Sequence, residues 1–175
     1  MKKLLCALLM LCMLMTAAFA EDTAELTWEA FEPVLGAAGV SGDFYTFEDI
    51  AVKIWLPEGL NPVELTKEAV EKGFIGYFMP DDQSASVGIT YVDVNGMSLE
   101  EYAQWLASEA GATEVEMGTV NGLPCVSYRL PAQDTVSVAF TTEAGYVFEV
   151  TCAPYSEENA ELVWGAVISS IQAAE

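Results

Sequence analysis

The 175-residue chain contains no histidine. This absence excludes Ser-His-Asp and Cys-His catalysis, metal ligation by imidazole and the commonest general base. The chain also lacks G-x-S-x-G, S-x-x-K, P-loop, G-x-G-x-x-G and C-x-x-C motifs. We therefore predict a non-enzyme without cofactors. A carboxylate-based hydrolase stays open as an alternative, because sequence spacing does not determine how far apart two carboxylates lie.

Basic residues are scarce, with six Lys and Arg against 27 Asp and Glu. Two of the six, Lys2 and Lys3, precede an apolar run over residues 4–15, and residues 18–20 (Ala-Phe-Ala) fit the signal-peptidase rule. Residues 1–20 therefore resemble a secretory signal peptide, cleaved after Ala20. The apolar run is shorter than the ~20 residues that span a bilayer, so we predict no stable membrane insertion after cleavage.

The remaining chain is strongly acidic. Loss of residues 1–20 leaves four basic side chains against 27 acidic ones, a net charge of −23. Phosphate binding needs clustered cations, so nucleic acid is excluded as a partner. Basic proteins and cations are permitted, and the charge also keeps an exported protein in solution. We predict a secreted or extracytoplasmic location in the cell envelope; the sequence carries no signal for an oligomeric state.

Hydrophobic periodicity divides the remaining chain into an N-terminal helical segment over 21–43 and a single α+β domain over 44–175. In the first segment, Pro33 interrupts the helical spacing over 27–38, which predicts a short or broken helix. The domain contains a capping box at Ser98 and Glu101 and a last helix capped by Ser156. The strands are predicted over 46–56, 73–79, 84–92, 113–120, 125–130, 135–142 and 145–152. This order indicates an antiparallel sheet with helices packed on it.

Cys125 and Cys152 are the only cysteines outside residues 1–20. Strand alternation predicts Leu130 opposite Val136, and Val136 opposite Cys152. In that register the two cysteines point to opposite faces and lie at different ends of their strands. A disulfide needs Cα atoms within ~7 Å, so we predict that both cysteines are free. A disulfide-stapled fold is the alternative.

The same register predicts a ligand site on one sheet face. Arg129, the only arginine, and Glu149 would share this face, with the small residues Ser127 and Ser137 between them. Such a face suits a small molecule or cation. A plain ion pair on a half-covered sheet face is the structural alternative.

The acidic turns do not predict a metal site. Asp81 and Asp82 fall in a predicted hairpin turn, where aspartates are favoured for structural reasons. Residues 93–96 (Asp-Val-Asn-Gly) resemble part of a calcium loop, but an EF-hand register would put Tyr91 and Tyr102 at its first and twelfth positions. We predict no metal ligands.

The order of the segments resembles the PsbP-like α/β/α sandwich over residues 44–172. The likeness is carried by TFEDIAVKIWLPEG, SVGITYVDVNGMSLEEYAQWL, VNGLPCVSYRL, AGYVFEVTCAP and a closing helix that ends in VISSIQ. The namesake is an extrinsic subunit of photosystem II, and small exported bacterial proteins look similar. The resemblance implies an antiparallel sheet of about seven strands with helices on both faces, used for protein docking rather than catalysis. No binding residue of the family has a counterpart here.

Together these observations favour an exported, acidic, non-catalytic binding module that docks to another extracytoplasmic protein. A small-molecule or cation-binding protein is the first alternative, and a carboxylate-based hydrolase is the second.

Overall fold

The computed structural model describes residues 25–174, so the predicted signal peptide lies outside the described residues. The helices and strands are β1 (Glu25–Leu26), α1 (Trp28–Ala38), β2 (Gly42–Phe47), β3 (Val52–Pro57), β4 (Asn61–Pro62), α2 (Lys67–Glu71), β5 (Phe74–Met79), β6 (Ser86–Asp93), α3 (Leu99–Ser108), β7 (Thr113–Val120), β8 (Leu123–Leu130), β9 (Thr135–Thr141), β10 (Tyr146–Ala153), α4 (Ala160–Ser169) and β11 (Gln172–Ala173). None of the described helices is long and apolar enough to cross a membrane.

The strands form two sheets. The larger has the order β1-β7-β8-β9-β10-β6-β5-β4, and the smaller has the order β11-β3-β2. Only β1, which pairs with β7, is parallel to a neighbour in the described sheets. The sequence predicts about seven strands in one sheet. Six of them form the larger sheet together with the two-residue strands β1 and β4, and the predicted strand over 46–56 belongs to the smaller sheet.

The smaller sheet differs from the prediction of one strand over 46–56. A short 3₁₀ turn (Glu48–Ile50) interrupts this stretch, and Ala51 takes a left-handed φ of 50°. The chain therefore reverses, and β2 pairs antiparallel with β3 from Gly42 opposite Pro57 to Phe47 opposite Val52.

The helix boundaries confirm one predicted cap and correct another. Ser98 and Glu101 form the capping box of α3, with bonds of 3.2 and 2.8 Å. Helix α1 is short and continues through Pro33, so the structure has the short helix and not the broken one. Ser156 does not cap α4, which begins after Asn159. Its hydroxyl and backbone N–H instead bond to Asp134, and the hydroxyl bond lowers the pKa of that carboxyl.

Two hydrophobic cores lie on opposite faces of the larger sheet, because side chains alternate along each strand. Val138 and Phe140 of β9 belong to the first core, whereas Ala139 between them belongs to the second. The first core contains residues of α1, α4 and the smaller sheet, and the second contains residues of α3. The described part of segment 21–43 therefore packs onto the domain, since α1 contributes Phe31 and Leu35 to the first core.

The register between β8 and β9 is shifted by one residue from the prediction. Leu130 lies opposite Thr135, not Val136, because a 3₁₀ turn (Pro131–Gln133) and Asp134 at φ 53° close the connection in four residues, one fewer than predicted. The β9–β10 register is as predicted, with Val136 opposite Cys152. A slip of one residue moves every side chain of a strand to the other face. The prediction of opposite faces for the cysteines is therefore wrong, and Cys125 shares the first core with Cys152.

The two cysteines nevertheless lie at opposite ends of the β8–β10 meander. Cys152 is opposite Val136, and Val126, next to Cys125, is opposite Ala139. Both thiols are free and buried. Burial raises the pKa of Cys125 to about 11 and also raises that of Cys152.

We expect neither thiol to react with Ellman's reagent in the native protein at pH 8, because both are buried and protonated. In guanidinium chloride without reductant, both should react. Absence of labelling in the denatured monomer would reveal a disulfide and contradict this arrangement.

Candidate functional site

A groove with a volume of about 350 Å³ is the candidate site. Three connections and the start of α4 line it. The connections are residues 57–60 between β3 and β4, residues 80–85 between β5 and β6, and residues 154–159 between β10 and α4. The groove therefore lies between the end of β3 in the smaller sheet and one end of the larger sheet. Its volume lies within the range of ligand and side-chain binding clefts.

The floor of the groove is apolar. Leu60, Val163 and Trp164 line it, and Trp164 is a buried member of the first core. The indole Nε1 of Trp164 donates a hydrogen bond of 2.7 Å to the backbone oxygen of Pro154. This bond fixes the ring and satisfies its only polar atom, so the indole contributes a rigid apolar surface.

The rim of the groove is acidic. Glu58, Glu157 and Glu158 line it and are exposed, and no lysine or arginine is among its described lining residues. The Ser41 hydroxyl donates a hydrogen bond to Glu58 and holds that side chain at the start of β2. An apolar floor below three carboxylates suits a cation on an aliphatic stem, which is the structure of a lysine or arginine side chain.

The aspartates of the β5–β6 turn are engaged within the protein. Asp82 accepts hydrogen bonds from the hydroxyl and the backbone N–H of Ser84, at 2.7 and 3.0 Å. These bonds, the hydroxyl bond first, lower the pKa of Asp82. Asp81 accepts a bond from Asn61. Both residues therefore act as turn and strand-pairing residues.

The calcium-like loop is also a turn. Asp93 accepts a 2.8 Å hydrogen bond from the backbone N–H of Asn95, and Asn95 and Gly96 have φ values of 56° and 74°. Within residues 25–174, no three acidic or cysteine side chains are grouped as metal ligands.

The structure separates the four residues of the predicted ligand site. Arg129 and Ser127 point to the first-core face of β8 because of the one-residue shift, whereas Glu149 and Ser137 lie on the second-core face. The expectation that Arg129 and Glu149 share a face is therefore wrong.

Arg129 is engaged at one end of the larger sheet. It forms a 2.9 Å ion pair with Glu114, and its guanidinium lies 3.9 Å from the centre of the Tyr155 ring. The Tyr155 hydroxyl donates to Glu161 at 3.0 Å. Burial, followed by this bond to Glu161, raises the pKa of Tyr155 to about 12.

Glu149 accepts hydrogen bonds from hydroxyl groups between α3 and the sheet. The hydroxyl of Tyr102 on α3 donates to Glu149 at 3.0 Å, and Thr151 donates at 3.2 Å. Burial and the Glu149 charge raise the pKa values of Tyr102 and Tyr128. Ser137 extends the network through a 2.8 Å bond to Thr151. This network anchors α3 to the sheet.

Sequence reasoning missed the groove because its walls come from three connections far apart in the chain. The turn at residues 57–59 and the glutamates before α4 are each visible in the sequence. Only the fold shows that they face one cleft.

Comparison with known proteins supports the fold. No family model and no curated protein matches the chain. The solution structure of cyanobacterial PsbP (CyanoP) from Synechocystis sp. PCC 6803 is similar, with a TM-score of 0.54, 11% identity, and coverage of 76% of this chain and 92% of that chain. A crystal structure from Bacteroides thetaiotaomicron VPI-5482 has a TM-score of 0.47 and 17% identity, over 77% of this chain and 49% of the other. The first likeness confirms the predicted PsbP-like fold.

Proposed function

We propose that this PsbP-like chain is an exported, non-catalytic docking module that binds a basic segment of another extracytoplasmic protein. The observation that carries the proposal is the groove, in which an apolar floor lies below Glu58, Glu157 and Glu158. The negative charge elsewhere on the surface is not needed for this chemistry, since the three glutamates line one cleft. Export is supported by the signal-peptide pattern over residues 1–20.

The chemistry of the groove defines the class of partner. A lysine or arginine side chain can place its methylene groups on Leu60 and Trp164 while its charge meets the glutamates. The net charge of −23 after signal removal attracts a basic partner over distances of about one Debye length, ~8 Å at physiological salt. Steering of this kind raises the association rate more than the final affinity.

The test is affinity capture by immobilised residues 21–175, which contain both cores, from the envelope and culture fluid of the producing organism. The groove variant is Glu58→Gln, Glu157→Gln and Glu158→Gln combined. The control variant removes the same charge from α3, from the residue that caps its C-terminus and from β7, through Glu100→Gln, Glu109→Gln and Glu116→Gln. All six side chains are exposed, so neither variant should unfold the chain.

We expect one basic protein to be retained by the parent chain and the control variant and to bind the groove variant about tenfold more weakly. Each exposed ion pair contributes about 0.2–1 kcal/mol, so the loss of three ion pairs can weaken binding about tenfold. An equal loss of binding in both variants would show that the interaction depends on overall negative charge, and would contradict binding at the groove. Absence of any captured protein, with or without calcium, would contradict docking.

A further inference from the structure

Strand β2 is an open edge of the smaller sheet. Within residues 25–174 it pairs with β3 alone, at the end of the order β11-β3-β2. The four residues 43–46 are exposed, and they include Phe44 at 40% and Tyr45 at 42% relative exposure. A six-residue strand of this kind presents unpaired backbone groups to any extended chain that approaches it.

The hydrogen bonds of β3 show which backbone groups of β2 point outward. The N–H of Trp55 donates to the Ser170 hydroxyl at 2.8 Å, and the oxygen of Ala51 accepts from Ala174 at 2.8 Å. Odd-numbered residues of β3 therefore direct their backbone groups away from β2. On β2, Phe44 lies opposite Trp55 and Thr46 lies opposite Lys53. These two β2 residues are therefore not hydrogen-bonded to β3.

It follows that the N–H and C=O groups of Phe44 and Thr46 point out of the sheet edge, whereas those of Tyr45 bond to Ile54. The bond from the Glu58 N–H to the Ser41 oxygen, at 2.8 Å, fits the same alternation. The free edge thus offers two donor and acceptor pairs at the spacing of an added strand.

Nothing in β2 blocks such pairing. Edge strands are commonly protected by charged side chains, above all lysine, by proline or by a bulge. β2 (Gly-Asp-Phe-Tyr-Thr-Phe) contains no lysine, proline or bulge, and its one charged side chain, Asp43, would repel an acidic strand but attract a basic one. Two of its aromatic side chains pack against other aromatic rings of the protein. Phe44 meets Trp28 edge-on with ring centres 5.4 Å apart, and Tyr45 meets Phe78 at 4.9 Å.

The charges around the edge indicate what it would pair with. Asp43, Glu48 and Asp49 are exposed on β2 and in the turn that follows it, and Ser41 links the start of the strand to Glu58 on the groove rim. The nearby cation Lys53 lies over the Phe44 ring, with its Nζ 5.4 Å from the ring centre. A second copy of this chain would place like charges together, whereas a basic chain would neutralise them.

We propose that β2 accepts an extended, lysine-rich segment of the docking partner as an added strand, continuous with the groove at Glu58. This inference rests on the proposed docking function and specifies how the partner's backbone is bound. Main-chain hydrogen bonds supply affinity in this mode, and alternate side chains supply specificity.

Amide hydrogen exchange measured by NMR tests the proposal, with acetyl-Lys-Thr-Lys-Val-Lys-Thr-amide as the probe. We expect the peptide to slow exchange of the Phe44 and Thr46 amides at least tenfold. The exchange rate of the Tyr45 amide, which is already bonded to β3, should change little and serves as an internal control. The matched glutamate peptide should protect none of them. Equal protection of all three amides, or protection of none by the lysine peptide, would overturn the proposal.

Two variants of one residue provide an independent test. Thr46→Pro removes the outward N–H, whereas Thr46→Ala keeps it, so only the proline variant should lose peptide binding, by at least tenfold. Equal binding by the two variants would overturn the added strand. If the groove variant still loses the captured protein in that case, the docking function stands without this inference. Protection of Phe44 and Thr46 that rises with protein concentration, in the absence of peptide, would identify a second copy as the occupant and overturn the proposal.

Discussion

Phe31→Ala is expected to lower the free energy of unfolding by about 3–5 kcal/mol, the range for removing a buried aromatic ring. Phe31 is 2% exposed, and its ring lies in the contact between α1 and α4. A Cβ added at Gly165 of α4 would lie 2.7 Å from Cε1 of this ring. The glycine therefore allows the ring to approach the helix backbone closely. Urea unfolding measures the effect. Phe44→Ala removes a ring that is 40% exposed, so this matched control should lose less unfolding free energy.

Gly165→Ala distinguishes this packing from a general loss of hydrophobic area. In the parent chain the added methyl group would clash with the Phe31 ring and destabilise the protein. In the Phe31→Ala background the clash is gone, and alanine should stabilise α4 by up to about 1 kcal/mol through its helix propensity. The same sign in both backgrounds would contradict the α1–α4 contact.

Glu149→Ala is expected to lower the free energy of unfolding by about 2–3 kcal/mol. Removal of the carboxylate leaves the hydroxyl of Tyr102 without its acceptor between α3 and the sheet. The Thr151 hydroxyl loses one of its two hydrogen bonds and keeps the one to Ser137. Buried donors that lose a charged acceptor cost more than the bond itself contributed. Urea unfolding again measures the effect.

Two comparisons interpret that result. Glu116→Ala, at an exposed position on β7, should change stability by less than about 0.5 kcal/mol. Glu149→Gln keeps an acceptor oxygen, so its free energy of unfolding should lie between those of the parent and Glu149→Ala. A stable Glu149→Ala protein would show that the carboxylate does not anchor α3, and would return Glu149 to the list of candidate ligand residues.

Elements with strong local signals could be predicted from the sequence. Strand β7 occupies the predicted residues 113–120, and the Ser98 and Glu101 capping box forms as expected. The β9–β10 register also follows from alternation, because the short turn between the two strands leaves their pattern in phase.

The features that could not be predicted depend on backbone conformations that the residue pattern does not encode. Ala51 and Asp134 take left-handed conformations that are unusual for residues with a Cβ. The first creates the β2–β3 hairpin, and the second ends the turn that shifts β8 by one residue. That shift separated Arg129 from Glu149 and so removed the predicted ligand site. The groove and the outward-facing edge of β2 require the arrangement of distant connections, which no local pattern specifies.

The most direct test of the account is an NMR titration of residues 21–175, labelled with ¹⁵N, with acetyl-Lys-Thr-Lys-Val-Lys-Thr-amide. We predict saturable amide shifts confined to residues 41–47, 58–60, 84–85 and 157–164, which are the edge of β2 and the lining of the acidic groove. Unsaturable shifts spread over acidic positions such as Glu100, Glu109 and Glu116 would contradict the central claim that one continuous surface binds a basic segment.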